Sequence, residues 1–298
     1  MGSVDCEKKF GFVILHYMAF DMTVKCVSNL LQRFGKYNIE IVIVDNASNN
    51  GSGFKLEEKY VSEEMVTVLL NKKNDGFAKG NNLGYKYLVE NNCPDYIVVM
   101  NNDVLIEQDD FLYLIDKTYL KERFAVLGPD IYCPAKNKHQ NPAHIRGFSI
   151  EEVGALYNKI NGYSLHPAYH YYKHATLGKI KRRVMGDKQH REQIEWEKAQ
   201  VNVVLHGACY VFSQDFITRR EYCFNPGTFL YMEEDILHYE CMRKGLKMIY
   251  SPALKVKHLE DVSTNASTKS GYKKFIMKNS EMEKSIKIML KIMREEQM

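Results

Sequence analysis

One stretch near residue 100, Tyr96-Ile97-Val98-Val99-Met100-Asn101-Asn102-Asp103, narrows the choice of fold more than any other. Five residues suited to a buried strand run directly into two amides and a carboxylate. An apolar run of this length, with no polar alternation, suits a central parallel strand covered on both faces. In an open α/β sheet, ligands bind in the crevice beyond the carboxyl ends of the strands. Asp103 is then expected at such a crevice, where carboxylate oxygens can hold a divalent cation. Taken alone, the stretch reads equally well as a turn carrying a solvated aspartate.

The preceding residues repeat the pattern. Phe10–Leu15 is a candidate strand ending in His16-Tyr17, and Val24, Val27, Leu31 and Phe34 recur at helical spacing between Thr23 and Tyr37. Ile39–Val44 is a second β-branched run that stops at Asp45-Asn46. A short helix around Phe54–Tyr60 and a strand at Val66–Leu70 follow, then a Gly/Asn-rich segment, Asn74–Gly84, leading into a helix that ends near Asn91. Strands alternating with helices predict an α/β fold with a mainly parallel central sheet and helices on both faces. Three strand ends therefore carry polar segments: Asp45–Ser52, Asn74–Gly84 and Asn101–Asp103. Together they put amides, backbone N–H groups and two carboxylates along one sheet edge, a plausible nucleotide site. Gly76, Gly80 and Gly84 do not fit G-x-G-x-x-G and no phosphate-binding P-loop occurs, so both of those fingerprints are absent.

Farther on, a helix through Phe111, Leu112, Leu114 and Ile115 leads to a strand near Ala125–Leu127. The segment from about 133 to 200 reads as an irregular insertion with a basic run, Lys179, Lys181, Arg182, Arg183, Lys188 and Arg191. A solvated loop is the first expectation for such a run, and contact with anionic headgroups or a phosphate-bearing substrate the second. Order returns at Val201–Leu205, before His206-Gly207-Ala208 and a strand at Tyr210–Phe212. The Gly-Ala pair suggests close backbone approach to a ligand or another strand. Glu233-Glu234-Asp235 opens a helix running to Gly245. Acids there suit the helix dipole, and burial among the aromatic residues before them can instead raise a carboxyl pKa toward that of a general base. Two short strands, Lys247–Tyr250 and Lys255–Lys257, end in His258, a residue more often structural than a ligand. The final helix, Tyr272 to Met293, has one apolar face that packs on the body or forms a partner interface such as a homodimer.

Composition excludes little beyond the extremes. Apolar content of 45% with 26% charged residues is that of an ordinary soluble globular protein, and a formal charge of +4 does not point to nucleic acid. Seven cysteines without C-x-x-C spacing read as reduced thiols of a cytoplasmic protein. No apolar run reaches the roughly 18–20 residues a membrane span needs, and no signal-peptide core follows Met1–Lys9. Membrane contact is therefore expected to be peripheral, at the inner face of the cell membrane.

The ordered set resembles the inverting family 2 glycosyltransferases, especially their bacterial rhamnosyltransferase-like branch. The pieces are Ile41–Ser48, Asn74–Gly84, Asn101-Asn102-Asp103, His206-Gly207-Ala208, Glu233-Glu234-Asp235 before Gly245, and Val256-Lys257-His258 with Ser263 downstream. The resemblance implies a GT-A fold over 8–265, with a nucleotide-sugar half at 8–130, an acceptor and catalytic half at 201–265, and a C-terminal helical extension at 266–298. It implies that His16, Asp45, Asn46, Asn74, Gly76, Phe77, Gly80, Asn81, Asn101, Asn102 and Asp103 hold a nucleotide diphosphate-sugar, UDP- or dTDP-linked. It makes Asp103 and His258 ligands of Mg²⁺ or Mn²⁺. Asn101 stands where the family's D-x-D motif has its first acid. His206, Gly207 and Ala208 would contact a saccharide or lipid-linked saccharide acceptor. The catalytic base would be Glu234 or, one residue on, Asp235, with Glu233 beside them. A nucleotidyltransferase and a non-catalytic nucleotide-sugar-binding protein are the rival readings.

Overall fold

A computed structural model of the chain describes residues 7–173, 195–260 and 271–295. The first half alternates as expected: β1 (Phe10–His16), α1 (Phe20–Phe34), β2 (Ile39–Asp45), α2 (Ser52–Tyr60), β3 (Val66–Leu70), α3 (Gly76–Asn91) and β4 (Tyr96–Asn101). Then come β5 (Val104–Leu105), α4 (Phe111–Glu122), β6 (Val126–Cys133), β7 (Lys138–His139), α5 (Ile150–Leu165), β8 (Gln200–Val201) and β9 (Cys209–Ser213). The chain closes with α6 (Glu233–Arg243), β10 (Met248–His258) and α7 (Gly271–Glu295). One sheet runs β3-β2-β1-β4-β9-β6-β10-β5. It is parallel from β3 to β4, whereas β9 runs antiparallel to both β4 and β6. β6 and β10 are again parallel, and β5 folds back antiparallel on the end of β10.

The pleat explains the unbroken apolar runs. Successive side chains point to opposite faces, so Phe12, Ile14, Ile41, Ile43, Val98 and Met100 meet Cys26, Val27 and Leu30 of α1 and Phe111, Leu112 and Ile115 of α4. Val13, Val42, Val44, Ile97 and Val99 meet Ala78, Tyr85 and Leu88 of α3 and Leu237 and Cys241 of α6. With both faces covered, polar residues have room only at the strand ends.

Three local expectations are corrected. The helix expected to follow the Asn74–Gly84 segment already starts at Gly76, so Gly76–Gly84 is the opening of α3. A Cβ on Gly84 would lie 2.6 Å from Val13 Cγ1, and one on Gly80 would collide with Leu15. These glycines let the helix settle on the sheet. The two strands expected near 250 are one, β10, whose register against β6 breaks between Ser251 and Lys255; Pro252 there has no N–H to give to the ladder. Within the stretch read as irregular, Ser149 and Glu152 form a reciprocal capping box that starts α5. The basic run 179–191 and Ser263 lie outside the described residues.

Val153 and Ile160 of α5 pack with Ile286, Met289, Leu290 and Met293 of α7 and with Met232 and Ile236 at the start of α6. The apolar face of the C-terminal helix is therefore spent on the body of the molecule. Burial of each such side chain is worth roughly 1.5–3 kcal/mol. Among the described residues, no helix is long and apolar enough to cross a membrane.

A buried ion pair ties the loop before α6 to that helix: Arg220 binds Glu240, which also accepts from Asn225 Nδ2 at 2.7 Å. The two side chains are 2% and 12% exposed, so removing one strands the other in a poorly solvated place. Glu240→Leu should cost about 3–5 kcal/mol in urea unfolding. Combining it with Arg220→Met should recover most of that loss; a double variant as weak as the single one would show that no stranded charge is involved.

Candidate active site

The carboxyl ends of β1, β2 and β4 are joined by one hydrogen-bonded chain. Thr23 Oγ1, from α1, donates to Ala19 O at 3.2 Å, so it accepts from Asn102 Nδ2 at 2.9 Å and from His16 Nδ1 at 2.7 Å. His16 Nε2 is then the acceptor for Ser52 Oγ at 2.7 Å. Burial lowers the His16 pKa to about 4, with only partial relief from Asp45 at 3.8 Å, so the ring is neutral. His16 is fully buried with both nitrogens occupied. In this arrangement it supports Asp45 from beneath.

Asn46 is similar. Its Nδ2 donates to Asn74 Oδ1 at 2.9 Å and to Gly76 O at 3.0 Å, and its Oδ1 accepts from Asp75 N at 3.1 Å. Only 3% exposed, it fastens the end of β2 to the turn before α3. Asn81 is buried, its Nδ2 donates to Phe77 O within α3 and its Oδ1 has no hydrogen-bond partner among the described residues, while Gly80 faces Leu15. The Asp45 carboxylate, by contrast, accepts among the described residues only long bonds from Ser48 N, at 3.2 and 3.3 Å.

Asp103 and His258 meet across β5 and β10. His258 Nε2 lies 3.2 Å from Asp103 Oδ1, and both side chains are about nine-tenths buried. The contact lacks hydrogen-bond geometry, and Asp103 Oδ1 has no hydrogen-bond partner among the described residues. An orphaned carboxylate oxygen facing an imidazole nitrogen fits a divalent cation between them, and a mixed oxygen and nitrogen set suits Mn²⁺ or Mg²⁺. Among the described residues no group of three His, Cys, Asp or Glu side chains assembles around this pair.

From this pair the 206–208 loop leads to the acids. The His206 and His258 rings are 5.9 Å apart, centroid to centroid. Ala208 O accepts from Asn101 N at 2.9 Å, and Gly207 N–H donates to Glu234 Oε1 at 3.3 Å. A Cβ on Gly207 would stand 2.7 Å from that oxygen, so glycine is what lets the loop approach. From the other side, Phe77 N–H donates to Phe229 O at 2.8 Å, joining the turn before α3 to the segment that precedes α6. Gly76 has φ +83°, and a Cβ there would strike Phe229.

The acids themselves are held under tension. Tyr231 and Met232, just before them, are left-handed at φ 74° and 67°, and Met18, Ala47 and Glu260 beside the strand ends are left-handed too. Each such residue costs on the order of 1–3 kcal/mol and persists only where its surroundings enforce it. Burial, and secondarily the charge of Glu234, pushes Glu233 up to about 8 and Asp235 up to about 7. Burial raises Glu234 as well, against the pull of the Gly207 N–H. Glu233 Oε1 and Asp235 Oδ1 are buried without a hydrogen-bond partner.

Sequence reasoning passed over Thr23, Ser52, Gln140 and Asn141. Asn141 is 1% exposed, accepts from His206 N at 3.0 Å and donates to Pro129 O at 2.7 Å, clamping the 206–208 loop. The Asn141-Pro142 dipeptide, a turn signal, was the one available hint; the others sit in unremarkable helix and loop positions.

These shifts fix a stability profile. Buried, neutral His16 and His206 bind fewer protons folded than unfolded between about pH 4 and 6.5, so their contribution rises with pH there. Glu233 stays protonated in the fold to about pH 8 while its unfolded form ionises near its ordinary value of 4.5, so its contribution falls as pH rises to 8. Between pH 7 and 8 the histidine contribution is complete and the acid remains. Urea midpoints should drop over that interval in the wild type and drop less in Glu233→Gln, where Asp235, held up at about 7, still contributes; parallel profiles would refute the buried acid at 233.

Residues 12–181, more than half of the chain, match the profile of glycosyl transferase family 2. No curated protein matches the chain. Among solved structures it resembles GalNAc-T7 with UDP, GalNAc and Mn²⁺, at TM-score 0.56 and 16% identity over 86% of this chain and 44% of that one. It also resembles the mannosyltransferase PcManGT from Pyrobaculum calidifontis in complex with GDP-Man and Mn²⁺, at TM-score 0.54 and 13% identity over 91% and 61% of the two chains. For S. aureus TarS 1–349 the TM-score is 0.52 at 12% identity, over 84% and 60%. The chain thus spans 44% to 61% of the length of these structures. At such identities the likeness shows the fold alone, which is of the GT-A type. The sequence match goes further: the chain belongs to glycosyl transferase family 2.

Proposed function

We propose that the protein transfers a sugar from a nucleotide diphosphate donor to an acceptor hydroxyl in a single displacement with inversion. One observation carries the reading: a continuous run of contacts joins Asp45, His16, Thr23, Asn102, Asp103, His258, His206, Gly207 and Glu234. This continuity supports a common site for donor-side and acceptor-side groups. Asp45 and Asn74 receive the base and ribose. Asp103 and His258 would hold Mg²⁺ or Mn²⁺, which would supply positive charge to offset that developing on the departing diphosphate. Mn²⁺ accompanies the nucleotide or nucleotide-sugar in two of the similar structures, and this supports a divalent cation here.

Glu234 is the base of this reading. Its carboxylate is tethered to the 206–208 loop, whereas Glu233 is engaged with Thr228 and the Tyr231 backbone. Asp235, one residue on, is turned about 100° around the helix. Glu234 takes the acceptor proton as the hydroxyl attacks the anomeric carbon opposite the diphosphate, and burial raises its pKa above the ordinary carboxylate value, which makes it a stronger base. The acceptor is a saccharide, free or lipid-linked, of the kind built into cell-surface polysaccharide, in keeping with the resemblance to the rhamnosyltransferase-like branch.

UDP-, dTDP- and GDP-sugars should be screened for thermal stabilisation with and without Mn²⁺, because a ligand that binds only the folded state raises its stability. Nucleoside diphosphate release from the selected donor should then fall about 10²–10⁴-fold in Glu234→Gln, with donor binding retained. A fall confined to Asp235→Asn would move the base to Asp235. No loss in either would end the assignment.

A further inference from the structure

His258 belongs to a longer chain that reaches the far side of β7. Its Nδ1 lies 2.8 Å from Gln140 Oε1, the Nε2 of Gln140 donates to Glu260 Oε1, and Glu260 is paired with Lys136. The direction of every bond follows from the end of the chain. A carboxylate only accepts, so Glu260 requires the NH₂ of Gln140. The Gln140 carbonyl must then face His258, and a carbonyl requires a proton on Nδ1. The neutral imidazole consequently keeps its lone pair on Nε2, the nitrogen 3.2 Å from the unpartnered Oδ1 of Asp103. Two electron-rich atoms are thus held face to face, with no proton between them in the neutral ring. Leu259 N–H donates to Asp103 O at 2.9 Å, and His258 pairs with Val104 in the β5–β10 ladder, so the backbone fixes both ends.

We propose that Gln140 is a positioning residue that locks His258 in its Nδ1–H tautomer, and so presents Nε2 with Asp103 to a divalent cation, with Glu260 and Lys136 fixing the orientation of the amide. This rests on the cation reading above and assigns work to three residues outside it. Groups that orient a metal-binding histidine in this way typically contribute about 10–100-fold to metal affinity.

Two measurements separate the inference from the reading beneath it. In metal-free protein labelled with ¹⁵N-histidine, the His258 signals, assigned by their loss in His258→Asn, should show a protonated Nδ1 and an unprotonated Nε2. Gln140→Leu should abolish that preference. By electron paramagnetic resonance of free Mn²⁺, in the presence of UDP, dTDP or GDP, Gln140→Leu should bind Mn²⁺ about 10–100-fold more weakly than the wild type. The exchanged pair, Gln140→Glu with Glu260→Gln, keeps an acceptor facing Nδ1 and a donor behind it. It should restore both tautomer and affinity, which a packing defect at residue 140 would not allow. An unchanged tautomer, an Mn²⁺ affinity within twofold of wild type in Gln140→Leu, or failure of the exchange to rescue would overturn the role of Gln140. Absence of Mn²⁺ binding by the wild type with any of the three nucleotides would instead overturn the cation reading and the cation half of the proposal, leaving the tautomer to be decided by the nitrogen spectra.

Discussion

Burial of β1 and β4 on both faces is the constraint from which the rest of the structure follows. Phe12, Val13 and Ile14 in β1, like Ile97, Val98 and Val99 in β4, have apolar neighbours above and below. No polar side chain fits mid-strand without losing its hydration. Chemistry is pushed to the strand ends, where His16, Asp45 and Asn101–Asp103 emerge side by side because the strands are parallel and in register. An antiparallel arrangement of the same three strands would have scattered them over two edges.

At those ends the structure holds groups in states that water would not favour. Neutral histidines, protonated acids and left-handed non-glycine residues all surround the same crevice. Each lowers stability, and each persists because the core and the hydrogen-bonded chain through Thr23 and Asn141 enforce it. Such concentrated strain and perturbed ionisation accompany functional sites more often than structural ones.

The C-terminal helix α7 takes part in this enforcement although it lies beyond the segment matched by the family profile. Ser285 Oγ donates to Leu230 O at 2.9 Å, and Lys278 sits over the Tyr231 ring at 5.8 Å. Met232 is packed among Ile286, Met289 and Leu290. The left-handed turn that aims α6 is therefore braced from outside the sheet.

The sequence by itself determined the strands, their alternation with helices and the polar character of their ends, because these depend on period and composition within a few residues. Asp45, Asp103 and the acids at 233–235 stood out because each stands at a visible boundary between apolar and polar stretches, whereas His258 stood out only through the family resemblance. Tertiary structure decided what those residues can do. Nothing local distinguishes His16, sealed with both nitrogens bonded, from His258, whose Nε2 faces a carboxylate. Nor does the glycine spacing reveal that Gly80 and Gly84 serve helix packing while Gly207 admits Glu234. Thr23 and Gln140 were silent, and Asn141 signalled only a turn, for the same reason: a hydrogen bond depends on where a partner more than a hundred residues away, or on another element, comes to rest, and only the closed sheet specifies that.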